Sequence, residues 1–162
     1  MKGQLFLHIA SLLNTQVPEL QQVDLERGQL DQPDLTGLSF PLALISFGET
    51  NYQDEGQGLQ YGECVVDIYV VQQHADLSTA TTPAQATIAT LLDFPNKVYL
   101  ALQDANSSSF FNFTRLREQA NQVRNNLMID TLQFVTTIND DTKRIENELG
   151  RSAVSDVKAK IK

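Results

Sequence analysis

Few residues in this chain are of a type and spacing that could do chemistry. There are two histidines, His8 and His74, one cysteine, Cys64, and two adjacent carboxylate pairs, Asp54-Glu55 and Asp140-Asp141. Metal ligation needs several His, Cys or carboxylate groups converging at short, characteristic spacings, and neither histidine has such a neighbour. A Cys–His nucleophile pair needs an accessible thiolate in an electropositive setting, whereas Cys64 sits inside an apolar strand pattern and reads as a small core residue. Adjacent carboxylates on an extended chain point to opposite sides, so neither pair is a ready acid–base couple, and no loop has the spacing of a calcium-binding helix–loop–helix. Gly56-Gln57-Gly58 lacks the Lys-Ser/Thr of a phosphate-binding loop, and no helix follows it. The residues therefore nominate no catalytic centre, no metal and no cofactor, and the expectation is a protein that is not an enzyme.

Charge narrows the partners. The chain of 162 residues carries 20 acidic and 12 basic side chains, a net charge of −8. Duplex binding draws its affinity from Lys and Arg displacing phosphate counterions, so sequence-specific nucleic-acid binding is disfavoured, and docking on an anionic membrane is disfavoured for the same reason. No segment approaches the ~20 apolar residues of a membrane span. The apolar run Leu5 to Leu13 is interrupted by His8 and Ser11 and lacks a small-residue cleavage site, so it reads as a helix rather than a secretory signal. Two glycosylation sequons, Asn106-Ser107-Ser108 and Asn112-Phe113-Thr114, then read as chance matches. A lone cysteine permits no intrachain disulfide.

The elements are more legible than the chemistry. Leu5, Phe6, Ile9, Leu12 and Leu13 recur at helical spacing, and that helix should end near Asn14, ahead of Val17-Pro18. Glu19 to Leu25 alternates imperfectly and reads as a weak strand; Gly28 to Gly37 is a loop. Pro41 to Phe47 is an apolar strand that enters a polar tongue, Gly48 to Gly62, and Glu63 to Val71 is the strand that leaves it. Cys64, Val66, Ile68 and Val70 share one face of that second strand, while Val65, Tyr69 and Val71 share the other, which marks a central strand covered on both sides. Gln73 to Thr82 is a linker, and Thr82-Pro83 is a helix start. Ile88, Leu91, Leu92, Val98, Tyr99 and Leu102 give a helical face interrupted by Pro95, predicting a kinked helix or two short ones ending near Asp104. Phe110, Phe111 and Phe113 read as an aromatic plug at one end of a sheet. Arg115 to Arg124 suits either an amphipathic helix or a solvated strand. Leu127 to Ile138 is a strand, ended by Asn139-Asp140-Asp141-Thr142.

These elements predict an α+β fold: a mainly antiparallel sheet with a long-loop hairpin, covered on one face by helices. The expected division is a single domain over 1–142 and a polar tail over 143–162, frayed helix or disordered. Hairpin loops are usually two to five residues, and much longer ones are commonly functional. The tongue is thus the expected contact surface, through Glu49, Tyr52, Asp54, Glu55, Gln57 and Tyr61. Arg115 and Arg117, with Arg124 the densest basic group ahead of the polar tail, are expected at a protein interface too.

The order of these segments resembles the tail terminator (tail completion) proteins of long-tailed bacteriophages, over roughly Leu5 to Asp141. Leu5 to Leu20 is similar to the opening helix and the Pro-bounded approach to the first strand. Phe40-Pro41-Leu42-Ala43-Leu44-Ile45 resembles the first hairpin strand, and Glu63 to Val70 its partner. Phe94 to Leu102 with Phe110-Phe111-Asn112-Phe113 resembles the helix and short aromatic connection that follow, and Arg115 to Thr142 the closing strand pair, which makes 115–124 a strand. The resemblance implies a non-enzymatic assembly protein that forms a six-fold ring on the end of the tail tube. Such a ring stops tube polymerisation and offers the surface joining tail to head. Its implied partners are itself, the tail tube protein and the head–tail connector protein, in the bacterial cytoplasm during assembly and then in the virion tail. The alternative is another neck or head–tail adaptor, or a protein-binding module unrelated to phages, monomeric or dimeric.

Overall fold

The computed structural model describes residues 1–32, 34–74, 85–107, 109–124 and 126–146, of which 120–124 are described as backbone. The expected helix start at Thr82-Pro83, most of the 73–82 linker and the tail beyond 146 lie outside the described residues. The order is α1 (Lys2–Gln16), β1 (Gln22–Leu25), a 3₁₀ turn (Gln29–Asp31), β2 (Leu42–Gly56), β3 (Leu59–Gln73), α2 (Gln85–Leu102), β4 (Phe110–Arg124) and β5 (Leu127–Asp140). The strands form one five-stranded sheet in the order β1-β2-β3-β5-β4. β1 runs parallel to β2, and every other pairing is antiparallel. The fold is α+β, as its segment order implies.

Side-chain parity explains the layers. Ile45 of β2, Cys64, Val66, Ile68 and Val70 of β3, and Leu132, Phe134 and Ile138 of β5 project to one face. There they pack under Leu5, Ile9 and Leu13 of α1 and Phe94, Val98 and Leu102 of α2. This is the main core, and the two helices are its lid. On the opposite face Leu42, Leu44, Val71 and Leu127 form a smaller cluster, roofed by Leu30, Leu35, Leu38 and Phe40 of the loop before β2. β3 is therefore central and apolar on both faces. α2 is one continuous helix through Pro95, not two, and the proline is buried in its core-facing half.

The largest departure from expectation is the tongue. Residues 48–62 are not a loop: β2 and β3 continue through them as a paired ribbon, and the connection is the two-residue turn Gln57-Gly58 between the paired Gly56 and Leu59. Gly56, Gln57 and Gly58 all have positive φ, and positive φ at both central residues is the mark of a type I′ hairpin turn, whose twist matches that of its strands. Its β2 strand is polar because water wets both of its faces, Asn51 to Gly56 all being exposed. It therefore lacks the apolar alternation by which a half-buried strand is recognised. Strand propensity depends on context, and here the ladder with β3, itself paired to β5 as far as Gln60–Asp140, supplies the order.

Two bulges re-aim side chains. Between Phe47–Val66 and Thr50–Cys64 the register slips, so Gly48 and Glu49 together oppose Val65. Gly48 suits the crowding there, since a Cβ would lie 3.3 Å from Val65 Cβ. In β4 a second slip at Asn112, which has positive φ, lets Phe110 and Phe113 both enter the helix-side core although they are three residues apart. Phe111 is left outside, 40% exposed. The aromatic plug thus consists of two rings, not three.

Candidate assembly surface

Six of the eight candidate residues line the β2–β3 ribbon. Glu49, Tyr52, Asp54, Glu55 and Gln57 are exposed and Tyr61 is half-buried. They do not form one patch. Tyr52, opposite Gly62, projects to the helix side; Tyr61, with Asn51, Gln53, Glu63 and Thr137, lines a shallow hollow of about 280 Å³ on the other side. Asp54 turns back to the tip, where its Oδ1 accepts the Gly56 N–H at 2.8 Å. The tip also leans on the helical turn at 142–146: a Cβ on Gly58 would fall 2.9 Å from the Arg144 amide nitrogen.

Tyr52 owes its place to Gly62. A Cβ there would lie 2.8 Å from Tyr52 Cδ1 and Cε1 and 2.9 Å from Thr50 Cγ2, so the bare backbone is the floor on which the ring rests. Partial burial, and then the Asp140 charge, raise the pKa of the Tyr52 hydroxyl above its ordinary value. The Asp140 carboxyl is held below the usual Asp range, chiefly by its hydrogen bond to the Thr142 side chain. Replacing Gly62→Ala should destabilise the chain by ~1–2 kcal/mol through overpacking. In a Tyr52→Ala background the same change should be neutral or stabilising, because alanine loses less backbone entropy on folding. Chemical unfolding of the four chains of this double-mutant cycle checks the coupling.

Arg115 and Arg117 are three strand steps from β2. They are also parted from each other: Arg115 lies opposite Phe134 and Arg117 opposite Gln133, with Leu116 as the extra residue between. The bulge puts them on opposite faces. Arg115 Cζ stacks 3.8 Å above the Tyr99 ring, and its Nη1 donates to Glu118 Oε2 at 2.7 Å. Arg117 lines a cleft with Glu26, Asp31, Asp67 and Tyr69. The basic cluster expected from the sequence is thus split in two, and its members do not join the ribbon within one chain.

Other reactive groups are scattered. Cys64 is buried beneath the helices. The His8 ring packs against Phe110 and Phe113 at centroid distances of 5.9 and 6.4 Å. Among the described residues no group of three or more His, Cys, Asp or Glu converges to hold a metal, and no helix is long and apolar enough to cross a membrane.

Two surface features escape the sequence. One is the outer edge of β2: β1 pairs with it from Leu42 to Ile45, and from Ser46 to Gly56 no described strand does. The other is a hollow of about 460 Å³ at the place where β1 stops, lined by Phe6, Leu25 and Phe47 and rimmed by Lys2, Asp24 and Arg27. Its walls come from α1, β1 and β2, so no local motif could announce it.

No family model and no curated protein matches the chain. Among solved structures, a chain from the virion of a native gene transfer agent particle is similar at 18% sequence identity, over 82% of this chain and 84% of that one, with a TM-score of 0.44.

Proposed function

We propose that this chain is a structural protein of a phage or phage-like tail, one that caps the end of the tail tube as a ring of its own copies and presents the surface to which the head is joined. The observation that carries this reading is the β2–β3 hairpin. Two strands of fifteen residues stay paired to the tip, β3 is covered by β5 as far as Gln60, and the outer part of β2, Asn51 to Gly56, is polar and exposed beyond the residues that build either core. At about 3.3 Å per residue such strands reach ~50 Å, and an ordered extension of that kind is suited to meeting another chain. The element order, helix, short strand, long hairpin, helix, aromatic connection and closing strand pair, agrees with the resemblance read from the sequence. On this reading the protein acts by contact and not by catalysis. Its partners are other copies of itself, the tube protein and the connector, first in the bacterial cytoplasm and then in the virion.

The test is molar mass by light scattering across a wide concentration range. Six chains of 18.1 kDa would appear at about 110 kDa. A species of that mass supports the ring. A chain that stays monomeric at every concentration overturns self-assembly and leaves the adaptor reading.

A further inference from the structure

Two stretches of sheet edge that no described strand covers, β2 beyond Ile45 and β4 beyond Arg115, differ in charge; ahead of Arg115 the outer side of β4 is hydrogen-bonded by residues 103–107. Along β2 the unpaired stretch Ser46–Gly56 carries Glu49, Asp54 and Glu55 and no basic residue. At the far side of the sheet β4 has β5 as its only described strand neighbour, and it carries Arg115, Arg117 and Arg124 against one acid, Glu118, which pairs with Arg115 on the helix-side face while Arg117 lies on the other. An unpaired edge is a template for another strand. Two β2 edges brought together would oppose acid to acid, and two β4 edges would oppose strands that are both net basic; β2 against β4 opposes an acidic strand to a net-basic one.

Shape points the same way. Leu116 is the unpaired extra residue of the Arg115–Arg117 bulge and is 55% exposed, an apolar knob on the basic edge. Beside the acidic edge lies the apolar hollow of Phe6, Leu25 and Phe47. Of the cations on its rim, Arg27 is paired with Asp24 at 2.6 Å, and Lys2 Nζ donates to the Gly48 carbonyl at 3.1 Å. The three register slips of β4 break its ladder into short runs, which blunts indiscriminate strand pairing. A knob seated in a hollow then selects the one register that forms.

We infer that the β4 edge of one copy docks along the unpaired β2 edge of another, with Leu116 seated in the Phe6–Leu25–Phe47 hollow. This rests on the self-assembly reading above and names the surfaces that make it. The two surfaces are different, so the contact is heterologous and repeats from chain to chain, closing into a ring where the rotation allows. It cannot form within one chain: β1, which carries Leu25, and β4, which carries Leu116, are the two ends of the sheet. Four strand steps of about 4.8 Å put them ~19 Å apart.

The experiment is disulfide trapping in the full chain carrying Leu25→Cys and Leu116→Cys together. Disulfides require Cα atoms within about 7 Å, so only the intermolecular contact can close this one. On mild oxidation, non-reducing electrophoresis should show a ladder of covalent multimers, absent from either single variant and from the parent chain, whose Cys64 is buried. Leu116→Asp, at an exposed position, should leave the melting temperature unchanged and raise the concentration for half-assembly at least tenfold. A multi-subunit mass with no ladder overturns the docking and leaves the ring standing, as does full assembly of Leu116→Asp. A monomeric mass with no ladder overturns both.

Discussion

Replacing Gln53–Tyr61 with an Asn-Gly dipeptide should give a chain that folds as well as the parent and no longer assembles. The cut is matched to the register. It leaves Tyr52 opposite Gly62 and joins them through a two-residue turn of the type that suits right-twisted strands. None of the removed residues belongs to either hydrophobic cluster, so the apolar burial that stabilises the fold is untouched. What is lost is the pairing of Gln60 and Tyr61 with Asp140 and Asn139, and the seat of Gly58 against the 142–146 turn, both at the solvated end. We expect a thermal midpoint within a few degrees of the parent, a shift of roughly 1 kcal/mol or less. Assembly should weaken by at least a hundredfold, because the cut also removes Asp54 and Glu55 and shortens the open edge of β2. Light scattering and thermal melts on the same sample read the two effects separately. Unchanged multi-subunit mass would mean that the ribbon is not a contact surface.

The largest effect on stability is expected at Phe113. Its ring is fully buried, packed edge-on to Phe134 at 6.5 Å and beside His8, where α1, the end of α2 and β4 meet. Its backbone ties the same junction: the Phe113 N–H donates to the Ala105 carbonyl at 3.2 Å, and the Phe113 carbonyl accepts from the Asp104 N–H at 3.0 Å. Removing a ring from such a site forfeits its transfer free energy and leaves a cavity that rigid neighbours cannot fill. Phe113→Ala should therefore lose ~3–5 kcal/mol, a large share of the ~5–15 kcal/mol that holds a typical domain. Phe111→Ala, two residues away on the outer face, should lose roughly 1 kcal/mol or less. Urea midpoints at constant slope measure both. Equal losses at the two positions would contradict the bulge at Asn112 that gives them opposite faces.

How much of this was legible in advance depended on where each residue lies relative to the core. β3 was readable as a covered central strand because Cys64, Val66, Ile68 and Val70 alternate with Val65, Tyr69 and Val71, and alternation is what burial on two faces imposes. α1 was readable from its helical spacing for the same reason. The segment Arg115–Arg124 was not: mostly polar, it fits helix and strand alike, and its strand assignment came from the resemblance. The 48–62 ribbon is not legible as strand, because its β2 half, wetted on both faces, is under no pressure to alternate. The single aromatic plug became two buried rings and an exposed one, since a one-residue slip reverses every side chain beyond it and no composition rule marks the slip.

By itself, then, the sequence determined the apolar segments and their order, hence the α+β class, and the absence of any local motif for catalysis or metal binding. Those properties follow from residues within a few positions of one another. The tertiary structure decided that the tongue is a ladder, that Arg115 and Arg117 face opposite ways, and that β2 beyond Ile45 has no described strand at its outer edge. It also brought Phe6, Leu25 and Phe47 together around one hollow. Each of these depends on register and on contacts between segments far apart in the chain, which a one-dimensional pattern does not encode.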